Sequence, residues 1–382
     1  MAMRIETAVV HAASPRPRIE GAVALPIFQS STFTFDGGGD YHDVRYIRLN
    51  NTPNHIVLQR RLAALEGGEA ALVAGSGMAA ISSVLLSQLR AGDHILAHRV
   101  LYGGTHDLVT KDLPRMGITH TFVDADDPSS WAAAVTPETR AFYVETMTNP
   151  LLEVVDLRAV AAFCRERRLV SIVDNTCATP VNYRPIEHGF DLVVHSATKY
   201  LNGHSDIVGG VVVGRADLVQ AAKHKLDHLG GSLDPHACFL LERGMKTLVL
   251  RVRHQNESTL RLARFLEAHP AVARVHYPGL ESHPRHARAR EWFAGHGGLL
   301  SFELRGGQAA VERLFARLKL PANAPSLGGV ESLVTRPSTT SHAGLSPEQR
   351  RELGISDTLV RVSVGIEAVE DLLEDFGAAL AG

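Results

Sequence analysis

Asp191-Leu-Val-Val-His-Ser196-Ala-Thr198-Lys199-Tyr-Leu-Asn-Gly203-His-Ser-Asp-Ile-Val-Gly209-Gly210 is the stretch that decides how the chain is read. Its apolar opening, Leu192–Val194, has the composition of a strand buried on both faces. Ser196, Thr198 and Lys199 follow together, ahead of a loop expected to hold Gly203, Gly209 and Gly210. A lysine set directly after a buried strand is costly unless it is paired, neutralised or used covalently. Two hydroxyls within three residues of it offer hydrogen bonds that suit a phosphate. Lysine forms Schiff bases with carbonyls, and pyridoxal phosphate brings a carbonyl and a phosphate together. A plain surface lysine is the alternative, so the rest of the chain must decide.

Upstream, short apolar runs recur at Ala70–Ala74, Asp93–Ala97, Thr119–Val123, Ala141–Val144 and Val170–Val173, with Leu157–Arg168 the clearest helix between them. Strands separated by helices of 10–15 residues imply an α/β fold with a mostly parallel sheet, whose ligands bind at the carboxyl ends of the strands. Polar residues cluster at those ends: Tyr102-Gly-Gly-Thr, Thr148-Asn149-Pro and Asp174-Asn-Thr. An aromatic such as Tyr102 can stack on a flat ring there and assist proton transfer. A carboxylate such as Asp174 facing a pyridine nitrogen keeps it protonated and makes the ring an electron sink.

The turn Gly75-Ser-Gly77-Met78 joins the strand at Ala70–Ala74 to an apolar helix running to Leu89, a ready site for a phosphate at a helix start. The rival reading is a dinucleotide-binding oxidoreductase. It is disfavoured because position 80 is alanine, not the third glycine, and no acidic residue closes a second strand about 20 residues on. Beyond about Ser232–Arg243 the alternation is expected to end. A basic helix over 244–268 leads into a part with strands at Leu299–Leu304 and Leu359–Val364 and helices at 308–318 and 367–380. Arg361 inside an apolar strand needs an anionic partner, and a fixed, bidentate arginine is what orients an amino-acid carboxylate.

Composition narrows the classes. The chain has 382 residues, enough for two packed domains, with 39 basic and 41 acidic residues and a net charge of −2. That balance argues against nucleic acid and anionic membranes as partners. Three cysteines make neither a metal cluster nor a disulfide framework, which fits a reducing cytoplasm; we expect no metal, no secretion signal and no membrane span. His283 and His286 sit among arginines that would repel a cation, and are expected on a solvated face.

Taken with the N-terminal Tyr46-Ile-Arg48-Leu-Asn-Asn51-Thr-Pro53, the Ser-Ala-Thr-Lys-Tyr-Leu-Asn-Gly-His segment resembles the cysteine/methionine-metabolism family of pyridoxal-phosphate enzymes. The resemblance extends from about residue 20 to 378. It implies fold type I, with helices on both faces of a central sheet and a smaller C-terminal α/β domain. The expected division is an arm at 1–55, a cofactor domain at 56–243 and a C-terminal domain at 244–382.

By resemblance Lys199 carries the Schiff base and moves protons, assisted by Tyr102. Gly77, Met78, Tyr102, Asn149, Asp174, Ser196 and Thr198 join it in holding the cofactor, and Tyr46 and Arg48 reach a neighbouring subunit's phosphate. Ser326, Arg361 and Asn149 hold the substrate. The implied activity is carbon–sulfur lysis of small sulfur amino acids by γ- or β-elimination, in a cytoplasmic homo-oligomer, a dimer with shared sites or a tetramer. The alternatives within the family are γ-replacement, methionine γ-lysis, and γ-lysis of a substrate without sulfur. This chain departs from the family in Asn51-Thr-Pro53, Met147, Pro325, His106-Asp107 and Gly104. Pro325 and Asp107 stand where many γ-cleaving cystathionine enzymes have Glu and Arg, and Gly104 where methionine γ-lyases have Cys.

Overall fold

The computed structural model describes residues 3–381 apart from 36, 38–40, 42–43, 342 and 345. The glycine run at 37–39, read from sequence as turn-forming, thus has positions 38 and 39 outside the described residues. Seven strands form the larger sheet: β1 (Ala70–Ala74), β2 (His94–His98), β3 (Thr119–Val123), β4 (Thr139–Glu145), β5 (Val170–Asp174), β6 (Leu192–Ser196) and β7 (Gly210–Gly214). Their order is β1-β7-β6-β5-β4-β2-β3. From β6 through β5, β4 and β2 to β3 every pairing is parallel, while β7 runs antiparallel to both β6 and β1.

Alternation along each strand divides the core in two. Leu72, Ile95, Tyr143, Ile172, Val194 and Val212 pack on one face against the helix Gly77–Gln88 and residues of Ala216–Leu229. Leu96, Phe142, Val144, Val173 and Val193 face the other way, onto Trp131 and the helix Leu157–Arg167. Helices thus cover both faces, as a sheet of central parallel strands requires.

A second sheet, ordered β10-β11-β12-β9-β8, contains β8 (Val272–His276), β9 (Leu299–Leu304), β10 (Ala322–Asn323), β11 (Leu333–Thr335) and β12 (Leu359–Ser363). Its inner face packs on Leu262 and Leu266 of the helix Leu248–Ala268 and on Leu372 and Phe376 of Val369–Leu380.

Two expectations need correction. Gly210 opens β7 and does not belong to a loop: a Cβ there would lie 2.0 Å from the carbonyl oxygen of Ser76, so the strand needs glycine for close packing. The strand–helix alternation ends where expected: after Ala216–Leu229 come two helices in succession, Pro235–Met245 and Leu248–Ala268, the first started by Pro235 and capped by Asp234 accepting the His236 N–H. His283 is buried instead of solvated, and burial pushes its pKa down to about 4.

Candidate active site

The carboxyl ends of β4, β5 and β6 lie side by side and carry Glu145, Asp174 and Ser196 to one edge of the sheet. They open on a cavity of about 580 Å³, into which the second sheet contributes Arg361 and the segment before β11 contributes Ser326. Ten of the twelve residues expected at the site line this cavity: Gly77, Met78 and Tyr102, then Asn149, Asp174, Ser196, Thr198 and Lys199, and finally Ser326 and Arg361. Tyr46 and Arg48 do not. Arg48 Nη1 donates to the Asp227 carbonyl at 2.8 Å, and its guanidinium lies 5.6 Å from the Tyr46 ring centroid.

Helix geometry explains the first wall. An α-helix leaves its first N–H groups without intrahelical partners. At the helix Gly77–Gln88 the Ser76 hydroxyl accepts the N–H of Ala79 at 3.0 Å, while Gly77 and Met78, the residues between, line the cavity. A Cβ on Gly77 would come within 3.0 Å of Ser196 Cβ, so glycine lets this turn close against β6. Thr198 braces the lysine segment from the other side: its hydroxyl accepts the Gly209 N–H at 3.0 Å.

The centre of the site is a chain of contacts from Lys199 to Arg361. Lys199 Nζ donates to Ser326 Oγ at 2.7 Å, and Arg361 Nη2 donates to the carbonyl of the same Ser326 at 2.8 Å. Arg361 Nη1 reaches Asn149 Oδ1 at 3.1 Å. Ser326 has φ +100, a left-handed conformation that costs a side-chain-bearing residue about 1–3 kcal/mol and persists only where its surroundings enforce it. Burial, then the positive charge of Arg361, hold the Lys199 ammonium below its usual pKa. Arg361 is itself 4% exposed, makes no ion pair among the described residues, and leaves Nε without a partner.

At the opposite wall Asp174 is buried, and burial raises its carboxyl pKa although Oδ1 accepts the Thr176 N–H at 2.9 Å. Tyr102 sits half-exposed at the cavity mouth, its backbone N–H bonded to Glu145 Oε1 at 2.5 Å. Glu145, Thr176 and Cys177 also line the cavity and carry no role in the sequence reading. The signal for Glu145 was present: like Asp174, it ends an apolar strand.

The model of the family "Cys/Met metabolism PLP-dependent enzyme" matches residues 6–381. The chain belongs to this family. It is 43% identical to the cystathionine gamma-lyase of Bacillus subtilis, over 99% of each chain. With the cystathionine beta-lyase of Coxiella burnetii it shares 41% identity over 98% of this chain and 97% of that one. A solved cystathionine gamma synthase from Xanthomonas oryzae, in complex with aminoacrylate and cysteine, superposes with a TM-score of 0.95 at 40% identity, covering 100% of this chain and 98% of the other. As a member of the family the chain is a pyridoxal-phosphate-dependent enzyme, and it is a lyase.

The residues present fit that cofactor. Asp174, a buried carboxylate with no ion pair among the described residues, complements a protonated pyridine nitrogen. The helix start at Gly77 and the hydroxyls of Ser196 and Thr198 offer donors to a phosphate, and Lys199 supplies an amine of lowered pKa for a carbonyl. Among the described residues no His, Cys, Asp and Glu group could hold a metal ion, and no helix is long and apolar enough to cross a membrane.

Proposed function

We propose that this enzyme cleaves the carbon–sulfur bond of a small sulfur amino acid by elimination at the γ carbon, with Lys199 as the cofactor lysine and proton carrier. Bound in the cavity, pyridoxal phosphate supplies a carbonyl for amines and an electron-poor ring that accepts the electron pair left when a Cα–H bond breaks. Asp174 would face the ring nitrogen, Tyr102 would cover the ring, and Gly77, Met78, Ser196 and Thr198 would hold the phosphate.

The observation that carries this reading is Arg361, a buried guanidinium without a carboxylate partner, opening on the same cavity as Lys199. Such a group gains most from an anion that completes it, and the α-carboxylate of an amino acid is an anion of the right shape for its fork. Asn149 and Ser326 would set the fork's orientation and so direct Cα–H toward Lys199. Arg361, after burial, also helps lower the Lys199 pKa, which favours the neutral amine that a base requires. Once a carboxylate neutralises Arg361, the Lys199 pKa would rise, which favours retention of the proton just taken.

The test is to incubate the purified holoenzyme with cystathionine and identify the 2-oxo acid released. 2-Oxobutyrate supports γ-elimination, pyruvate moves the reaction to the β carbon, and release of neither, from cystathionine or from methionine in a parallel incubation, overturns the proposal. Lys199→Ala should lose both turnover and the visible absorption band of the lysine-bound cofactor.

We also propose that the enzyme is a cytoplasmic homo-oligomer with shared sites. Tyr46 and Arg48 stand outside the cavity of their own chain, and Val23 and Phe35 of the same arm are 80% and 61% exposed. Mixing inactive Lys199→Ala and Arg48→Ala subunits should restore activity if sites are shared, and none if they are not. The division into an arm at 1–55 and domains at 56–243 and 244–382 belongs to the same proposal.

A further inference from the structure

Glu145 ends the buried run Ala141–Val144, lines the cavity, and is 6% exposed. Its neighbour in register on β5 is Asp174, also buried. Neither carboxylate forms an ion pair among the described residues. The groups that face the pair are Tyr143 on β4, whose hydroxyl donates to Asp174 Oδ2 at 3.5 Å, Cys177 beyond β5, and His195 on β6. Lys199 and Arg361 line the same cavity, with Lys199 donating to Ser326 and Arg361 to Asn149 and Ser326.

Two carboxylates paired in register on neighbouring strands, both buried and with no ion pair among the described residues, resist ionising together, which favours one proton held by the pair. The hydrogen bonds decide where it resides. Asp174 collects the Thr176 N–H and the Tyr143 hydroxyl, donors that favour its anion. Glu145 collects one donor, the Tyr102 N–H, which a neutral carboxyl accepts as well through its carbonyl oxygen. Burial, followed by the negative charge of Asp174, pushes the Glu145 pKa up to about 8. A protonated pyridine nitrogen beside Asp174 would fix the anion there and leave the proton on Glu145.

Tyr102 needs such an anchor. It precedes the short helix Gly103–Asp107 without a side-chain cap, and 47% of it is exposed.

We infer that Glu145 is a positioning residue, which fixes Tyr102 over the cavity through its backbone N–H and keeps the single proton of the Glu145–Asp174 pair, so that Asp174 stays anionic toward the cofactor. The inference rests on the reading of Tyr102 and Asp174 as cofactor residues. It predicts an alkaline limb: as pH rises through the Glu145 pKa the pair becomes doubly charged, and Asp174 and the Tyr102 anchor are disturbed together.

The experiment compares Glu145→Gln with Glu145→Ala in three readouts: cofactor binding to the apoprotein, the pH profile of kcat/KM, and infrared absorption of a protonated carboxyl in the apoprotein. Gln keeps the acceptor and is neutral at every pH. Glu145→Ala should weaken cofactor binding and lower kcat/KM by about 10–100-fold, the cost of a misplaced active-site group. Glu145→Gln should hold both within about threefold of the native protein and remove the alkaline limb. The native protein should show a protonated carboxyl band at neutral pH that Glu145→Gln lacks. Native-like behaviour of Glu145→Ala, equal damage from both variants, or absence of that band would overturn the inference. Cofactor binding and the infrared band need no substrate, so they stand apart from failure of the cystathionine assay.

Discussion

Replacing Arg361 by methionine should push catalysis and stability in opposite directions. The side chain is almost fully buried, and among the described residues its donors reach the neutral oxygens of Asn149 and Ser326, at 3.1 and 2.8 Å. With an α-carboxylate bound, the fork would add two charge-assisted hydrogen bonds, each contributing about 1.5–3 kcal/mol. Losing both lowers kcat/KM by roughly 10²–10⁴-fold. In the empty protein the same guanidinium is an uncompensated charge, and exchanging buried ions for apolar side chains of similar volume is often neutral or stabilising by about 1–4 kcal/mol. Met reproduces the unbranched stem as far as Nε, and the cavity lets water reach the two oxygens that the guanidinium deserts. The assay pairs initial rates of 2-oxo acid release with urea denaturation of the cofactor-free protein. Expected are a collapse in kcat/KM and a denaturation midpoint unchanged or higher. A lower midpoint with kcat/KM within tenfold of native would refute the reasoning, because Arg361 would then be a structural residue.

Other perturbations follow from the same geometry. Gly203→Ala should destabilise by at least about 3 kcal/mol: the residue has φ +74, and its Cβ would lie 2.0 Å from Arg251 Nη1, a guanidinium that donates to the Tyr200 carbonyl beside Lys199. An unchanged urea midpoint and an unchanged cofactor absorption band would contradict this. Arg61→Ala leaves the buried Glu242 without its 2.9 Å partner and should cost about 3–5 kcal/mol, much of it recovered when Glu242 is replaced as well; equal single and double losses would refute the pairing. His55 and His98 are buried with pKa values lowered to about 4, chiefly by burial. Because the unfolded chain takes up their protons near pH 6.5, the stability they contribute is present above that pH and drains away as pH falls toward 4. The loss comes to about 2 kcal/mol for each histidine at pH 5. A urea midpoint that stays level between pH 7 and pH 5 would contradict it.

What could be read without a structure was local. The strands of the larger sheet are short apolar runs between polar turns, and Asp174, Lys199 and Arg361 stood out because each places a charge at or in such a run. β7 was hidden by its own glycines. Gly210 and Gly214 look like turn residues, yet their Cβ atoms would meet backbone oxygens of Ser76 and Asp191 at 2.0 and 2.1 Å, a property of packing against segments far away in the chain. His283 deceived for the complementary reason: its arginine-rich surroundings suggest solvent, but the fold covers it. The pairing of Glu145 with Asp174 depends on strand register, which no stretch of sequence displays by itself.

Ser326 shows why the site needed both sheets. Its hydroxyl holds the lysine that follows β6, and its carbonyl holds the arginine of β12. Gly328, two residues on, lets the loop press against the neighbour of Lys199, since a Cβ there would stand 2.7 Å from the Tyr200 backbone nitrogen. The left-handed backbone at Ser326 is therefore enforced from two directions, by hydrogen bonds on one side and by close packing on the other. Under the proposed function, a substrate carboxylate arriving at Arg361 would compete for the guanidinium that Ser326 engages, and a shift of that carbonyl would move the hydroxyl bonded to Lys199. Substrate binding and release of the lysine amine would then be linked through one residue. Ser326→Ala removes the hydroxyl and keeps the carbonyl, so it should alter the pH dependence of kcat more than the KM for the amino acid. A larger change in KM, with the pH profile intact, would show that the carboxylate side of the loop dominates and that the link to Lys199 carries no weight.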